Sequence, residues 1–415
     1  MSKHFDVAIV GGGLVGASLA LSLAELPCRI AIIDAQAPQN SPTSPAQNLN
    51  DYGNRVSAIT ASSARLLSGL GVWDLIDENS KQPYLCMKVW DELGSGELLF
   101  DADEMHSSEL GHILENNVML TAMHRQLQQQ KNIDFFWQQK IEKFASEKVE
   151  EAKQKSSSQG SDVVTMWLSN GESISADLLV AADGAMSGIR QKAGFETREW
   201  DYDHLAIVAT VETERSHQNT AFQRFSEQGP LAFLPLKNID KAGRFCSIVW
   251  SLETDQATRM LALNDDEFCR ELERQIEGAL GEIVDVSDRS SFPLRQRHAK
   301  RYFKENVVLV GDAAHTIHPL AGQGVNLGFK DVAILSEELA RAKRDGISLN
   351  HHQVLTRYQR RRQSDNLLMM GAMEGFKRLF GQPDPVLRLL RNTGMSWVNR
   401  QGILKRKIVE HAMGL

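Results

Sequence analysis

The strongest constraint on the fold is the apolar run Phe5-Asp6-Val7-Ala8-Ile9-Val10 followed at once by Gly11, Gly13 and Gly16. Such a run reads as a buried strand, and the residues that follow, to about 26, carry apolar side chains at helical spacing. Glycines at the first, third and sixth positions of a strand-to-helix turn let the backbone bend, approach a ligand closely and pack against the sheet. A second run, Arg29-Ile30-Ala31-Ile32-Ile33, ends in Asp34. That places a carboxylate about twenty residues beyond the glycines, where it can accept from ribose hydroxyls. The glycines alone are a weak signal. With both strands, the helix and the acid in register they predict a dinucleotide site on a doubly wound parallel sheet.

Two later stretches repeat the pattern. Leu178-Leu179-Val180-Ala181-Ala182 runs into Asp183-Gly184, with Ser187 placed to cap a helix that carries Arg190. Val307-Val308-Leu309-Val310 runs into Gly311-Asp312, and residues 325–342 have helical periodicity. In a doubly wound sheet, strands that end in acid and glycine collect at one edge, where the ligand binds. Asp183 and Asp312 are therefore expected beside the first glycine turn, with the N–H groups of Gly324, Val325 and Asn326 opening a helix toward an electron-rich ligand edge.

Composition removes other classes. A net charge of -7 gives no reason to expect nucleic acid as a partner. Cys28, Cys86, Cys246 and Cys269 are widely spaced and form no CxxC pair, so neither a metal site nor a disulfide framework is expected. Residues 7–26 are apolar enough to imitate a membrane span, but Gly11, Gly12 and Gly13 fit a turn instead. With no secretory leader at the start, the expected location is cytoplasmic, with any membrane contact peripheral and at the inner face.

Between the motifs, residues 36–53 read as a surface loop, 61–70 and 115–130 as helices, and 84–102 as two strands joined at Gly94-Ser95-Gly96. Residues 140–159 are rich in Lys, Glu and Ser and read as a solvated excursion, and Asn170-Gly171 marks a hairpin. Runs at 205–213, 220–225, 231–236 and 245–251 lack helical alternation and predict an antiparallel sheet with a helix at 265–280. The domain borders expected are 1–82 with 105–195 and 285–345, then 83–104 with 196–284, then a helical region at 346–415. That last region includes a helix at 355–380 and a tail carrying six basic against two acidic residues from 383 on, suited to an anionic surface or a partner.

Gly11-x-Gly13-x-x-Gly16, Asp183-Gly184 and Gly311-Asp312, in this order, resemble the class A flavoprotein monooxygenases of the para-hydroxybenzoate hydroxylase type. The run Gly311-Asp312-Ala313-Ala314-His315 through Gly328, with Arg55-Val56-Ser57-Ala58-Ile59, Trp200-Asp201-Tyr202 and Ala232-Phe233-Leu234-Pro235-Leu236, is similar more narrowly to the ubiquinone-biosynthesis hydroxylases, nearest in pattern to those that oxidise ring position C5 of a 2-polyprenylphenol. The resemblance implies an α/β fold of mixed α+β character: a Rossmann-like FAD-binding domain, an antiparallel-sheet substrate domain and a helical C-terminal region. It implies FAD held at Gly11, Gly13, Gly16 and Asp34, with Arg55 and Gln126 nearby. Asp312 would take the ribityl chain, Gly324, Val325 and Asn326 the pyrimidine end, and Asp183 a position toward both FAD and NAD(P)H, the reducing co-substrate. His318 and Pro319 would pass the isoalloxazine, and His318, His315 and Tyr202 are candidates to take the phenol proton, each of them equally suited to a packing role.

The implied substrate is a prenylated phenol, and the implied partners are other ubiquinone-biosynthesis proteins. Two other readings stay open at this point: a small soluble phenolic substrate on the same fold, and a flavin-bearing scaffold within an assembly.

Overall fold

The computed structural model describes residues 3–38, 46, 48–92, 97–147, 163–238, 243–316 and 324–381, with the side chains at 147, 201, 202, 372–374 and 376–381 excepted. Five strands run parallel in the first sheet, in the order Val307–Leu309, Ser173–Ala181, Lys3–Val10, Ile30–Asp34 and Ile133–Trp137. Their apolar residues are buried on both faces, as Phe5, Val7, Ile9, Ile32, Leu179, Val180 and Val308 show at 0–1% exposure. Parallel strands covered on both sides need such continuous apolar runs, which is why the sequence signal was so clear. Helices Leu14–Ala24, Asn116–Leu127 and Gly324–Arg344 pack over them.

All five parallel strands point their carboxyl ends to one edge. Gly11, Asp34, Asp183, Gly311-Asp312 and Trp137 therefore meet there, although they are spread over some three-quarters of the chain. Main-chain bonds lock the junctions to one another: Gly11 N donates to Ile33 O at 2.8 Å, Ala182 N to Val10 O at 2.8 Å, and Val310 N to Ala181 O at 3.0 Å.

A second sheet of nine strands is built around Thr197–Thr213, Phe245–Glu253, Leu231–Pro235 and Thr220–Phe225, the four runs expected to form it. Cys86–Asp91 and Glu97–Asp101 extend it at one edge. All its pairings are antiparallel except that of Thr220–Phe225 with Cys86–Asp91. Helix Asp265–Gln275 packs on it through Phe268, Cys269 and Leu272.

Two expectations change. Ser290–Ala299, assigned from sequence to the dinucleotide domain, is a ten-residue strand of the second sheet, paired with Thr197–Thr213 on one side and His315–Thr316 on the other. The chain thus passes between the sheets more than once here, since Val307–Leu309 belongs to the first sheet and His315–Thr316 pairs again with the second. The excursion at 140–159 begins as a strand, Ile141–Glu147, paired antiparallel to Val163–Leu168, because Ile141 and Phe144 turn inward against the first core. Its remainder from 148 on lies outside the described residues. The helix read at 355–380 spans His352–Gly381. The side chains of Met373, Phe376 and Phe380, and the basic tail beyond, lie outside the described residues.

Candidate functional site

At the first glycine turn, each glycine answers a different demand. Gly11 has φ +104°, and a Cβ on it would come within 2.3 Å of Ala182 O. A Cβ on Gly16 would stand 1.9 Å from Gly11 O, so the helix approaches the strand too closely for any side chain. Gly13 is the opposite case: it is the N-cap of helix Leu14–Ala24, no side chain caps it, and a Cβ there would meet nothing within 4 Å among the described residues. The helix N-terminus, with its unpaired N–H groups and positive dipole end, thus faces open space.

Asp34 lies beside this turn, accepting from Gly12 N at 2.6 Å and from Gln36 N at 2.7 Å. A cavity of about 190 Å³ opens here, lined by Gly12, Gly13, Asp34, Gln36, Ala37, Pro38, Asn117, Leu120, His124 and Trp137. Helix Asn116–Leu127 supplies Asn117, Leu120 and His124 from one face. Gln126, expected near the cofactor, projects elsewhere and packs beside Gly71, where a Cβ would meet its Nε2 at 2.9 Å. It follows His124 by two residues, and that spacing turns a side chain to the far side of a helix.

Asp183 is committed within its own turn. Ser187 Oγ donates to its Oδ1 at 2.5 Å and Ile189 N to its Oδ2 at 3.1 Å, so the carboxylate caps helix Gly188–Lys192. Arg190 then ties two motifs together, donating to Ala185 O at 2.8 Å and to Ala313 O at 2.9 Å.

Asp312 lies in the turn that follows strand Val307–Leu309 at the same sheet edge. Part of its side chain is accessible, yet protein surrounds it closely, and this desolvation raises its carboxyl above the ordinary value against the pull of His315 and Arg55. The guanidinium of Arg55 lies 5.2 Å from the ring centroid of Phe292, a residue of the second sheet. Beneath Asp312 runs a polar network absent from the sequence reading. Asp331, fully buried, accepts from Gly311 N at 2.8 Å, His315 Nε2 at 2.6 Å and Arg362 Nε at 2.7 Å. Burial alone would push its carboxyl up, but His315 and Arg362 more than offset this and hold it below the ordinary range. Arg362 passes on to Asn366, and Asn366 to Tyr302. Tyr302 meets His298, which burial and the nearby His315 push down to about 4.

Helix Gly324–Arg344 begins with Gly324 in open surroundings. Asn326 staples its start to strand Val56–Thr60, donating to Ala58 O at 2.7 Å and accepting from Thr60 N at 3.1 Å. With that side chain spent, the main-chain N–H groups of Gly324, Val325 and Asn326 have no acceptor within the helix. His318 and Pro319 lie outside the described residues. Tyr202 is placed only as a position on strand Thr197–Thr213, its side chain outside them as well.

Comparison with known proteins places this geometry. The family described as FAD binding domain matches residues 4–367. The chain belongs to it. It is 35% identical over 410 residues to the Escherichia coli (strain K12) protein named 3-demethoxyubiquinol 3-hydroxylase, covering 99% of this chain and 98% of that one. It is 37% identical over 412 residues to the ubiquinone hydroxylase UbiL of Rhodospirillum rubrum, covering 99% and 90%. Among solved structures, p-nitrophenol 4-monooxygenase PnpA from Pseudomonas putida DLL-E4 superposes with a TM-score of 0.73 at 21% identity, over 99% of this chain and 97% of that one, which shows a shared fold. The protein is an FAD-dependent aromatic-ring hydroxylase, in a family whose usual reductant is NAD(P)H. The residues fit FAD: an uncapped helix N-terminus over Gly13 suits the pyrophosphate, Asp34 and the adjoining cavity suit the adenosine, and the accessible acid Asp312 suits a chain of hydroxyls.

Asn117, His124, Trp137 and Asp331 were missed from sequence. The first two follow Asn116 at helical spacing with Leu120, which was a usable signal; Trp137 and Asp331 join the site only through the sheet order and the packing of distant helices.

Proposed function

We propose that this enzyme hydroxylates the aromatic ring of a polyprenylphenol intermediate of ubiquinone biosynthesis, at ring position C5, using NAD(P)H and O2. The observation that carries this reading is the full-length similarity to two proteins named as ubiquinone or demethoxyubiquinol hydroxylases, on a chain whose three cofactor motifs meet at one sheet edge. The name of the Escherichia coli relative supports a second reading, hydroxylation of a later, demethoxy ring.

FAD, when bound, supplies the oxidising power, taking hydride equivalents from NAD(P)H and activating O2 for transfer to the ring. The chain's own residues hold and orient. Gly11, Gly13, Gly16 and Asp34 would hold the dinucleotide end, and Asp312 would accept from the ribityl hydroxyls. The N–H groups of Gly324, Val325 and Asn326 would face the pyrimidine end, where donors stabilise negative charge. Arg55, on Phe292 and near Asp312, would guard the cleft between the sheets. Asp183 and Arg190 would act through the shape of the turn that NAD(P)H approaches. His318, with Pro319 shaping the wall, and Tyr202 are the residues we assign to the phenol proton.

The partners on this reading are the prenylated phenol, other ubiquinone-biosynthesis proteins and a membrane surface touched peripherally. Among the described residues no helix is long and apolar enough to cross a membrane. The test is the lipid-extracted quinone profile of cells lacking the protein. A polyprenylphenol without its C5 hydroxyl should accumulate and be cleared by the intact chain, but not by Asp312→Ala. Accumulation of a demethoxy quinol would favour the second reading. A normal profile would send the search to soluble phenols, and flavinated protein that never consumes NAD(P)H, even with its partners supplied, would mark a scaffold. His318→Ala should slow hydroxylation and uncouple NAD(P)H oxidation from product.

A further inference from the structure

The cavity beside Gly12 and Gly13 contains two groups that the glycine motif does not account for. Trp137 ends strand Ile133–Trp137 directly opposite Asp34 in the parallel register. Its indole stacks on Phe135, with centroids 5.4 Å apart and planes at 11°, and it reaches so far over the glycine turn that a Cβ on Gly12 would lie 2.8 Å from it. A large planar ring thus forms one wall of the cavity, held from behind by a second ring.

His124 forms the adjoining wall at 8% exposure, its ring centroid 5.4 Å from that of Trp137. Its Nε2 is 2.9 Å from Gly12 O. A carbonyl oxygen only accepts, so Nε2 carries the hydrogen and, in the neutral ring, Nδ1 is left with a bare lone pair. That Nδ1 is buried and has no hydrogen-bond partner among the described residues. Buried polar atoms without partners are rare in folded proteins, and one on a residue that lines a ligand cavity is accounted for when the ligand supplies the missing group.

We propose that Trp137 and His124 hold the adenosine end of FAD: the indole lies along the adenine ring, and His124 Nδ1 accepts from a donor of the adenosine, a ribose hydroxyl or the exocyclic amine. Asp34 accepts beside it. The cavity thereby presents acceptors and an aromatic face to a group rich in donors and aromatic area. Phosphate oxygens carry no hydrogen for Nδ1, which leaves the pyrophosphate to the helix N-terminus at Gly13. This inference rests on FAD occupying the site and adds the residues that select its adenosine half.

The test compares ligands that contain that half with one that lacks it. Binding of FAD, ADP and riboflavin to the full-length apoprotein is measured by titration calorimetry for the wild type, Trp137→Ala, Trp137→Phe and His124→Phe. Stacking of a base on an aromatic side chain is worth about tenfold to a hundredfold in affinity. Trp137→Ala should lose that factor for both FAD and ADP while riboflavin binds as before, and Trp137→Phe should recover most of it. His124→Phe should weaken FAD and ADP about tenfold, again sparing riboflavin. Unchanged FAD and ADP affinity in Trp137→Ala and His124→Phe overturns the proposal, as does a loss shared equally by riboflavin, which would mark a merely structural role. A wild-type chain that binds neither FAD nor ADP would instead refute the cofactor assignment itself.

Discussion

Replacing Gly16 and Gly13 separately by alanine should divide the glycine motif into a folding part and a binding part. At Gly16 the new Cβ would lie 1.9 Å from Gly11 O, 3.1 Å from Gly11 C and 3.2 Å from Ala182 Cβ. Real Cβ contacts essentially never fall under 3.0 Å, so helix Leu14–Ala24 must retreat by about 1.1 Å, the difference of the two distances. The obstacle is backbone on both sides, which places the overpacking cost near about 3 kcal/mol. Alanine returns about 1 kcal/mol of helix propensity, leaving about 2 kcal/mol. For a chain of 415 residues that lowers the apoprotein Tm by about 2 °C. At Gly13 nothing among the described residues stands within 4 Å and the backbone, at φ -73° and ψ -173°, is ordinary for alanine, so the apoprotein Tm should move by less than about 1 °C. FAD affinity should nonetheless fall at least tenfold, because the methyl enters the space over the helix N-terminus. Differential scanning calorimetry of apoprotein, followed by FAD titration, reads both effects. An unshifted Tm in Gly16→Ala would refute the close-approach argument, and wild-type FAD affinity in Gly13→Ala would refute the place given to the pyrophosphate.

Three further outcomes follow from the network under Asp312. Asp331→Asn should destabilise the protein by about 3 kcal/mol in urea denaturation, because it removes the buried one of Arg362's two ion-pair partners and leaves only the exposed Asp365. Since the folded protein holds Asp331 below the ordinary value of 3.8, its stabilisation is present above that pH and lost as pH falls through the lower folded value. The variant should therefore show a shallower acid limb in Tm against pH, and an identical limb would contradict this. Asp312 has the opposite sign: the protein packed around it raises its carboxyl although the residue is exposed, so the penalty on the charged form is small, and Asp312→Asn should leave the apoprotein Tm at pH 7 unchanged or slightly raised while weakening FAD binding. Arg190→Lys, which cannot span Ala185 O and Ala313 O with one rigid fork, should lower FAD affinity about tenfold with little change in Tm, as read by flavin release during dialysis.

What could be read from sequence was local and periodic. Val7 to Val10, Ile30 to Ile33, Leu178 to Ala181 and Val307 to Leu309 announce buried strands because both their faces are covered, and each is followed within a few residues by an acid or glycine at the shared sheet edge. Ser290–Ala299 was not legible: Pro293, Arg295, Gln296 and Arg297 interrupt any apolar alternation, and the strand exists because Thr197–Thr213 and His315–Thr316 pair with it on both sides. Gln126 stands away from the cavity for a related reason. Residues 115–130 read as a helix, but which face meets the cavity depends on the turn of strand into helix at Asn116, and that face carries Asn117, Leu120 and His124.

The supporting groups were invisible because their partners are remote in sequence. Asp331 reads as one more polar residue on an amphipathic helix until Gly311 N, His315 and Arg362 are seen to converge on it. Its effect is to fix the N–H of Gly311 from below, while Arg190 fixes Ala313 O from the side and Val310 N takes Ala181 O. Asp312 is thus held at the end of a turn whose backbone is tied down on both flanks by groups that do not themselves line the cleft. The same holds for Asp183, whose carboxylate is spent on Ser187 and Ile189 and so shapes the turn from which Arg190 reaches across. Such bonding reduces the reorganisation needed when a ligand arrives, so more of the interaction energy is available for placing the substrate ring. The motif residues specify what is bound, and the buried ties between strands specify where; a chain carrying the first set without Arg190, Asp331 and Arg362 would present the right groups on a loosened floor.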